Sequence, residues 1–338
     1  MTVRVAVNGF GRIGRNFLRA LRASGADVEI VAINDLVSVE ANAHLLRYDS
    51  THGRFDGDVA VSERGLVVDG REIAVHAERD PAKLPWGAIG VDVVIESTGR
   101  FTKRAAAAAH LEAGAKRVIV SAPSDDSDAT FVVGVNDDTY DPAKHVIVSN
   151  ASCTTNCFVP MIKVLDDAFT VRHGLMTTVH AYTNDQELLD LARDNLRRAR
   201  AAAVNIVPTS TGAARATGLV LQSMRGKLDG TSLRVPVKDG SITDFTGIVG
   251  AEVDAAAVKA AFKAAATTGP LAKVLDYSDE PLVSSDIVGS PASCTFDSDL
   301  TMTLPLGDGT TLVKVFGWYD NEWGYASRLV DLAVTVGA

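Results

Sequence analysis

Cysteine is scarce in this chain: Cys153, Cys157 and Cys294 are the only three among 338 residues. So few cannot build a disulfide scaffold, and they suit a reducing compartment, so the expected location is cytoplasmic. Cys153-x-x-x-Cys157 has no second Cys or His pair beside it, so no metal site is expected. Long apolar runs are missing as well. Nothing approaches the roughly 18–20 residues of a bilayer span, and no membrane partner is expected. The first strand-like run begins at Val3, which leaves no room for a leader peptide, and none is expected. Basic charge is in deficit: 33 Lys and Arg face 42 Asp and Glu, for a net charge of −9. That balance argues against nucleic-acid binding, and an anionic substrate would need a local basic pocket. Internal repeats and low-complexity linkers are absent too. What remains is an ordinary globular composition, 46% hydrophobic and 22% charged, at a length that suits two domains.

The N-terminus carries the first positive signal. Val3-Arg4-Val5-Ala6-Val7-Asn8 alternates as a strand and runs into Gly9-x-Gly11-x-x-Gly14. A helical pattern follows, with Ile13, Phe17, Leu18 and Leu21 near one face. Gly9 permits a tight turn, Gly11 lets backbone approach a pyrophosphate, and Gly14 lets the helix pack on the strand. A second strand, Val28–Ile33, leads to Asp35, 21 residues beyond Gly14, where an acid accepts hydrogen bonds from an adenosine ribose. Strand before, helix after and acid at that distance point to a bound dinucleotide.

The first 150 residues continue this alternation. The pattern predicts a helix over Val39–Leu46, a buried strand at Val91–Glu96 and an alanine-rich helix from Lys103 to about Ala113. Strands follow at Arg117–Ser121, Thr130–Val135 and His145–Ser149. Such alternation indicates a doubly wound, Rossmann-like parallel sheet with ligand at the strands' carboxyl ends. Ser97-Thr98-Gly99 and Ser121-Ala122-Pro123 stand at such ends and read equally well as cleft lining or turns. From Phe169 the texture changes to long alternating runs: Leu175–Tyr182, Thr231–Val237, Ile242–Val253 and Thr311–Trp318. These predict an α+β domain with a mostly antiparallel sheet, with helices near Ser210–Leu221 and Ala255–Ala265 and a terminal helix over Trp323–Val336.

The chemistry centres on Ser149-Asn150-Ala151-Ser152-Cys153-Thr154-Thr155-Asn156-Cys157. It sets a thiol between a strand-like run and a helix-like run, at the positive end of a helix dipole. That placement favours thiolate, the nucleophilic form; a buried structural cysteine is the competing reading. Thiolate attack on an aldehyde gives a hemithioacetal, whose oxidation by a nicotinamide cofactor leaves a thioester. Of the seven histidines, His180 is the best base, late in a strand within His180-Ala181-Tyr182-Thr183.

With these motifs in view, the chain resembles the phosphorylating glyceraldehyde-3-phosphate dehydrogenases of bacterial type. The resemblance spans nearly the whole length. It adds Arg197-Arg198-Ala199-Arg200, Pro208-Thr209-Ser210-Thr211-Gly212, Arg234-Val235-Pro236 and Trp318-Tyr319-Asp320-Asn321-Glu322 to the stretches already quoted. It implies an NAD-binding domain over residues 1–150, completed by a C-terminal helix at about 319–338, and a catalytic domain over 151–318. It implies glycolytic oxidation of D-glyceraldehyde 3-phosphate with inorganic phosphate, and a homotetramer. By resemblance, Cys153 is the nucleophile and His180 the base, the imidazole also lowering the thiol pKa. Ser152, Thr154, Thr183, Arg198, Thr211, Gly212 and Arg234 bind phosphate, Arg198 being aligned only to within a residue or two. Arg12, Ile13, Asp35, Arg79, Thr98, Ser121 and Asn321 contact the cofactor beside Gly9, Gly11 and Gly14. Asn321 holds the nicotinamide amide, and Tyr325 is either a ring-packing residue or helix core.

Three departures stand out. Leu191-Ala192 replaces the family's Leu-Pro in a loop that borders a neighbouring subunit; Asp35 would still repel a 2′-phosphate, so NAD is expected over NADP. Phe158-Val159 adds bulk one helical turn past the thiol, and Val237-Lys238-Asp239-Gly240 replaces Thr-Pro-Asn-Val. Two readings stay open for the last two: a specialised isoform whose reshaped pocket tolerates a thiol-reactive inhibitor, or drift in core packing. Other functions were weighed. The phosphate ligands disfavour an aspartate-semialdehyde dehydrogenase, whereas an erythrose-4-phosphate dehydrogenase is poorly separated. A cysteine hydrolase lacks an evident group to orient His180, and a non-catalytic nucleotide-binding regulator would leave Cys153 and His180 idle.

Overall fold

The computed structural model describes residues 2–338, and the chain divides into two compact units. One runs to Ser152 and takes in Ala326–Ala338; the other is Cys153–Tyr325.

The first unit is built on a nine-stranded sheet. Its order is Ala129–Thr130, Ile147–Ser149, Arg117–Val120, Val93–Glu96, Val3–Asn8, Val28–Asn34, Arg71–His76, Gly65–Val68 and Val59–Val61. The first seven pair in parallel and the last two add an antiparallel edge. From Val3–Asn8 the chain winds outward one way through Val28–Asn34, then the other way through Val93–Glu96. The order therefore reverses between Val3–Asn8 and Val93–Glu96, and ligands bind outside the carboxyl ends of strands at such a point. Val5, Ala6, Val7, Val93, Val94 and Ile95 are fully buried, as a sheet covered on both faces requires. The Arg12–Ser24 helix ends at Gly25, which takes a left-handed φ of 65°. The C-terminal helix, Trp323–Gly337, lends this unit its residues from Ala326 onward; Tyr140 Oη donates to Val336 O at 3.2 Å.

Two expectations here need correction. The alanine-rich helix is two short ones, Arg104–Ala107 and Ala109–Glu112, because the ladder tightens where Leu111 N–H bonds to Ala108 O at 2.9 Å. The strand over Thr130–Val135 shrinks to Ala129–Thr130. Beyond it, Val132 and Gly134 N–H groups turn to the side chains of Asn136 and Asp137, at 2.8 and 2.7 Å, instead of a neighbouring strand.

The second unit holds a seven-stranded sheet: Val207–Ser210, Leu228–Val235, Val171–Ala181, Ser241–Val249, Thr311–Tyr319, Cys294–Pro305 and Leu275–Ser278. It is antiparallel but for two parallel pairs, Val171–Ala181 with Leu228–Val235 and Leu275–Ser278 with Cys294–Pro305. Strict alternation of burial along Ser241–Val249 and Thr311–Tyr319 turns one face toward the Cys153–Phe169 helix. Phe158 meets Phe245 there at 5.5 Å between ring centroids, and Phe262 stacks on Phe296 at 3.8 Å. Among the described residues, no helix is long and apolar enough to cross a membrane.

Candidate functional site

In the first unit, a cleft of about 330 Å³ opens at the switch point, lined by Asn8, Gly9, Gly11, Asn34, Asp35, Glu78, Arg79 and Thr98 among others. The three glycines differ in what they allow. Gly9 takes φ +93°, and a Cβ there would lie 2.7 Å from Thr98 N. A Cβ on Gly14 would lie 2.3 Å from Gly9 O, so the helix packs against the turn with no room for a side chain. Around a Cβ on Gly11 there is open space to 4 Å, which a pyrophosphate can use. Asp35 is fixed by backbone: its carboxylate accepts from Phe10 N–H at 2.7 Å and Val37 N–H at 3.2 Å. Each oxygen keeps a lone pair for a ribose hydroxyl. These features fit a dinucleotide.

Of the other expected cofactor residues, Arg12 is held by an ion pair with Asp49. Burial would raise that carboxyl, but Arg12 and the N–H groups of His52 and Thr51 hold it at about 2. Ile13 follows in the same helix, and Ser121 ends the Arg117–Val120 strand with its N–H on Glu96 O at 2.9 Å. Asn321 lies in the second unit, as does Tyr325, which is buried at 5% exposure.

Cys153 opens the Cys153–Phe169 helix, just after Ala151 with its left-handed φ of 55°. Its Sγ lies 3.4 Å from His180 Nε2. His180 Nδ1 lies 2.6 Å from the Ala181 carbonyl oxygen, which only accepts. The ring proton therefore sits on Nδ1, and Nε2 turns its lone pair toward the thiol. The Tyr319 ring meets His180 edge-on at 5.9 Å, and its hydroxyl hydrogen-bonds Thr154 and Thr178, each at 2.8 Å.

Desolvation works against the thiolate that the helix start favours. Burial pushes the Cys153 thiol up to about 11, although Arg234 and hydrogen bonds from Thr154 pull it down. Burial, then the charge of Arg234, pushes His180 down to about 4, against the Ala181 carbonyl and Asp185. Desolvation is the largest cause of both shifts, and both favour the neutral forms of thiol and imidazole near pH 7. The pair is a proton donor facing a proton acceptor.

Sheet register places the groups expected to bind anions. His180 and Arg234 are direct partners on parallel strands, and Val207 flanks Arg234 on its other side. Arg234 donates from one terminal nitrogen to Thr183 Oγ1 at 2.7 Å and to Ala181 O at 3.2 Å. Its Nε is buried without a partner, an orphan donor of the kind an incoming phosphate satisfies. Among the neighbouring arginines, Arg198 reaches Thr209 Oγ1 at 2.9 Å and the Asp185 carboxylate, whereas Arg200 pairs with exposed Asp190. Thr211 Oγ1 accepts from Ala213 N–H at 3.2 Å, and Thr211-Gly212 opens the Ala213–Val220 helix. Thr154 is turned toward Tyr319, and Ser152 closes the first unit.

Several contributors escaped the sequence reading. Asp185 joins Thr183 and Arg198 and lies 3.8 Å from Arg234; its place two residues past Thr183 was the available signal. Ser241 Oγ accepts from Ala181 N–H at 3.0 Å and donates to Asn321 Oδ1 at 2.7 Å, fixing that amide. Buried Asp239 is pushed up by burial and by Asp320, the residue before Asn321. The 237–240 departure thus does adjoin the site. Phe158 is fully buried against Phe245, which favours the core-packing reading.

Comparisons with known proteins give the family. Residues 3–104 match the family model described as glyceraldehyde 3-phosphate dehydrogenase, NAD binding domain, and residues 152–321 match its C-terminal domain. Glyceraldehyde-3-phosphate dehydrogenase 2 of Streptomyces avermitilis is 59% identical over 337 residues, covering 100% of this chain and 99% of the relative. The glyceraldehyde-3-phosphate dehydrogenase of Geobacillus stearothermophilus is 56% identical over 338 residues, with 100% and 99% covered. Glyceraldehyde-3-phosphate dehydrogenase 1 of Bacillus subtilis is 55% identical over 336 residues, with 99% and 98% covered. With both family models matched and full-length relatives above half identity, the chain belongs to the glyceraldehyde 3-phosphate dehydrogenase family.

Proposed function

We propose that this chain oxidises D-glyceraldehyde 3-phosphate with NAD and inorganic phosphate to 1,3-bisphosphoglycerate, a glycolytic step, through a thioester on Cys153. The observation that carries this reading is the 3.4 Å contact between Cys153 Sγ and the lone pair of His180 Nε2, with Arg234 beside His180. Sγ attacks the aldehyde carbon while Nε2 takes the thiol proton, giving a hemithioacetal. The Cys153 N–H, at a helix start, supports the negative oxygen as it forms. His180 passes that proton to the forming alkoxide, then takes the resulting hydroxyl proton as the carbon loses hydride, leaving the thioester. Bound NAD supplies the hydride acceptor. Phosphate oxygen then attacks the thioester carbonyl and Sγ leaves, giving the acyl phosphate.

Arg198, Arg234, Thr183, Ser152, Thr154, Thr211 and Gly212 serve the substrate phosphate and the attacking phosphate. Gly9, Gly11, Arg12, Ile13, Gly14, Asp35, Arg79, Thr98 and Ser121 hold the nucleotide, and Asn321 the nicotinamide amide. Asp35 favours NAD over NADP. We read the protein as a cytoplasmic homotetramer; exposed Leu188, Leu189, Leu191 and Leu196 on the loop after Thr183 support assembly, and light scattering tests it. The deciding assay mixes glyceraldehyde 3-phosphate and NAD with and without inorganic phosphate and follows reduced cofactor. Phosphate-dependent turnover, abolished in Cys153→Ser, is expected. Turnover indifferent to phosphate, or restricted to NADP, would overturn the respective part.

A further inference from the structure

Glu96 ends the Val93–Glu96 strand at 2% exposure, directly beneath the nucleotide cleft. A carboxylate buried so deeply is costly unless its lone pairs find donors. Here they do. Oε2 accepts from Asn8 Nδ2 at 2.5 Å and lies 3.0 Å from His110 Nε2. Oε1 accepts from Thr98 N–H at 2.8 Å and from the Thr98 hydroxyl.

His110 is fully buried, and its other nitrogen, Nδ1, lies 3.0 Å from Trp86 Nε1. An indole N–H only donates, so Nδ1 must accept and the imidazole proton sits on Nε2, facing Glu96. The ring acts as a neutral donor, and Glu96 is held by hydrogen bonds, not by a counter-ion. The network runs on toward the cleft. Asn8 Oδ1 accepts from Asn34 Nδ2 at 2.7 Å, and the Asn34 amide clips both Glu78 N–H and Glu78 C=O, at 2.8 and 2.9 Å. Asn8, Asn34, Glu78 and Thr98 all line the cleft. Thr98 is also pressed against Gly9 so closely that a Cβ there would lie 2.7 Å from its nitrogen.

We infer that Glu96 is the positioning residue of the nucleotide cleft: it holds Thr98 and Asn8 at the glycine turn without touching ligand, and Trp86 and His110 fix the donors around it. The inference rests on the reading of this cleft as the NAD site. Glu96→Gln is nearly isosteric, yet its amide NH₂ faces a donor whichever way it turns: Asn8 Nδ2 and His110 Nε2–H in one orientation, Thr98 N–H in the other. Titration calorimetry of the full chain with NAD should show Kd raised about tenfold, the scale of losing a charge-assisted hydrogen bond, with kcat at saturating NAD little changed.

A double-mutant cycle with Thr98→Val separates positioning from general destabilisation. If Glu96 works through Thr98, the double variant binds no more weakly than the worse single variant. Should Glu96→Gln fail to fold, Trp86→Phe decides: it keeps a ring, frees the His110 tautomer, and should raise Kd about threefold if that donor matters. Unchanged affinity in the folded variants, or an additive cycle, would overturn the inference. A wild-type protein that binds no NAD would instead sink the reading of the cleft.

Discussion

Replacing His180 with Asn tests the resting state of the site most directly. With the thiol at about 11, the thiolate fraction at pH 7.5 is about three in ten thousand. A mechanism drawing only on free thiolate would therefore gain about tenfold per pH unit from 7 to 9.5. On the proposed mechanism the wild-type protein avoids that limit, because neutral Nε2 takes the proton during attack. Its base is competent at every pH above its own value of about 4, so kcat/KM should be flat from about 5.5 to 9. His180→Asn removes the acceptor while keeping polarity. At pH 7.5, kcat/KM should fall about a thousandfold, within the usual range for general-base catalysis, and the residual rate should climb with pH. The assay is the first-turnover burst of reduced cofactor across pH 5–9.5. A variant within tenfold of wild type at pH 7.5, or one with a flat profile, would refute the neutral-pair reasoning.

The same shift bears on stability. His180 is depressed in the fold from 6.5 to about 4, so between those values the unfolded chain binds more protons and stability rises with pH. On acidification from 6.5 to 4, wild type should lose up to about 3 kcal/mol relative to His180→Asn, read from urea unfolding; parallel pH profiles would exclude this. Asp185→Asn removes a charge that holds His180 up, so the acid limb of kcat/KM should move to lower pH; an upward shift would reverse the assignment. Gly14→Ala should cost about 1–3 kcal/mol through its clash with Gly9 O, whereas Gly11→Ala should leave the melting temperature alone and weaken NAD binding. Phe158→Leu should match wild type in its inactivation by an electrophilic aldehyde analogue, since Phe158 is core; a changed rate would revive the reshaped pocket.

What sequence made legible, and what it did not, divides along a physical line. Local geometry was readable: the glycine turn, Asp35 and a thiol at a helix start depend on neighbours in the chain. The 12-residue strand Cys294–Pro305 was invisible, because a register shift between Asp297 and Met302 breaks the alternation that would reveal it. The antiparallel edge over residues 59–68 and the Arg71–His76 strand beside it were missed too, being short strands with little apolar contrast. The structure brings together residues that the sequence singled out, Cys153 with His180 and His180 with Arg234, but their mutual desolvation was not legible. That desolvation is set by side chains brought in from distant strands. Arg234 reaches His180 only through parallel register, and Tyr319 covers the ring from the end of the Thr311–Tyr319 strand. These neighbours bury the imidazole and half-bury the sulfur, and desolvation disfavours charge on either. A helix dipole read from sequence alone would leave a permanent thiolate, open to any electrophile. Enclosure yields a thiol that becomes nucleophilic only as its proton is taken up, which couples reactivity to a carbonyl held in place. Arg234, which touches Thr183 and favours thiolate at Cys153, ties the phosphate ligands to the thiol. Arg234→Gln should therefore raise the Cys153 thiol further and slow acylation even with an aldehyde that lacks phosphate, measured as the burst with and without the phosphate group. If only the phosphorylated aldehyde were affected, Arg234 would be a binding group and nothing more.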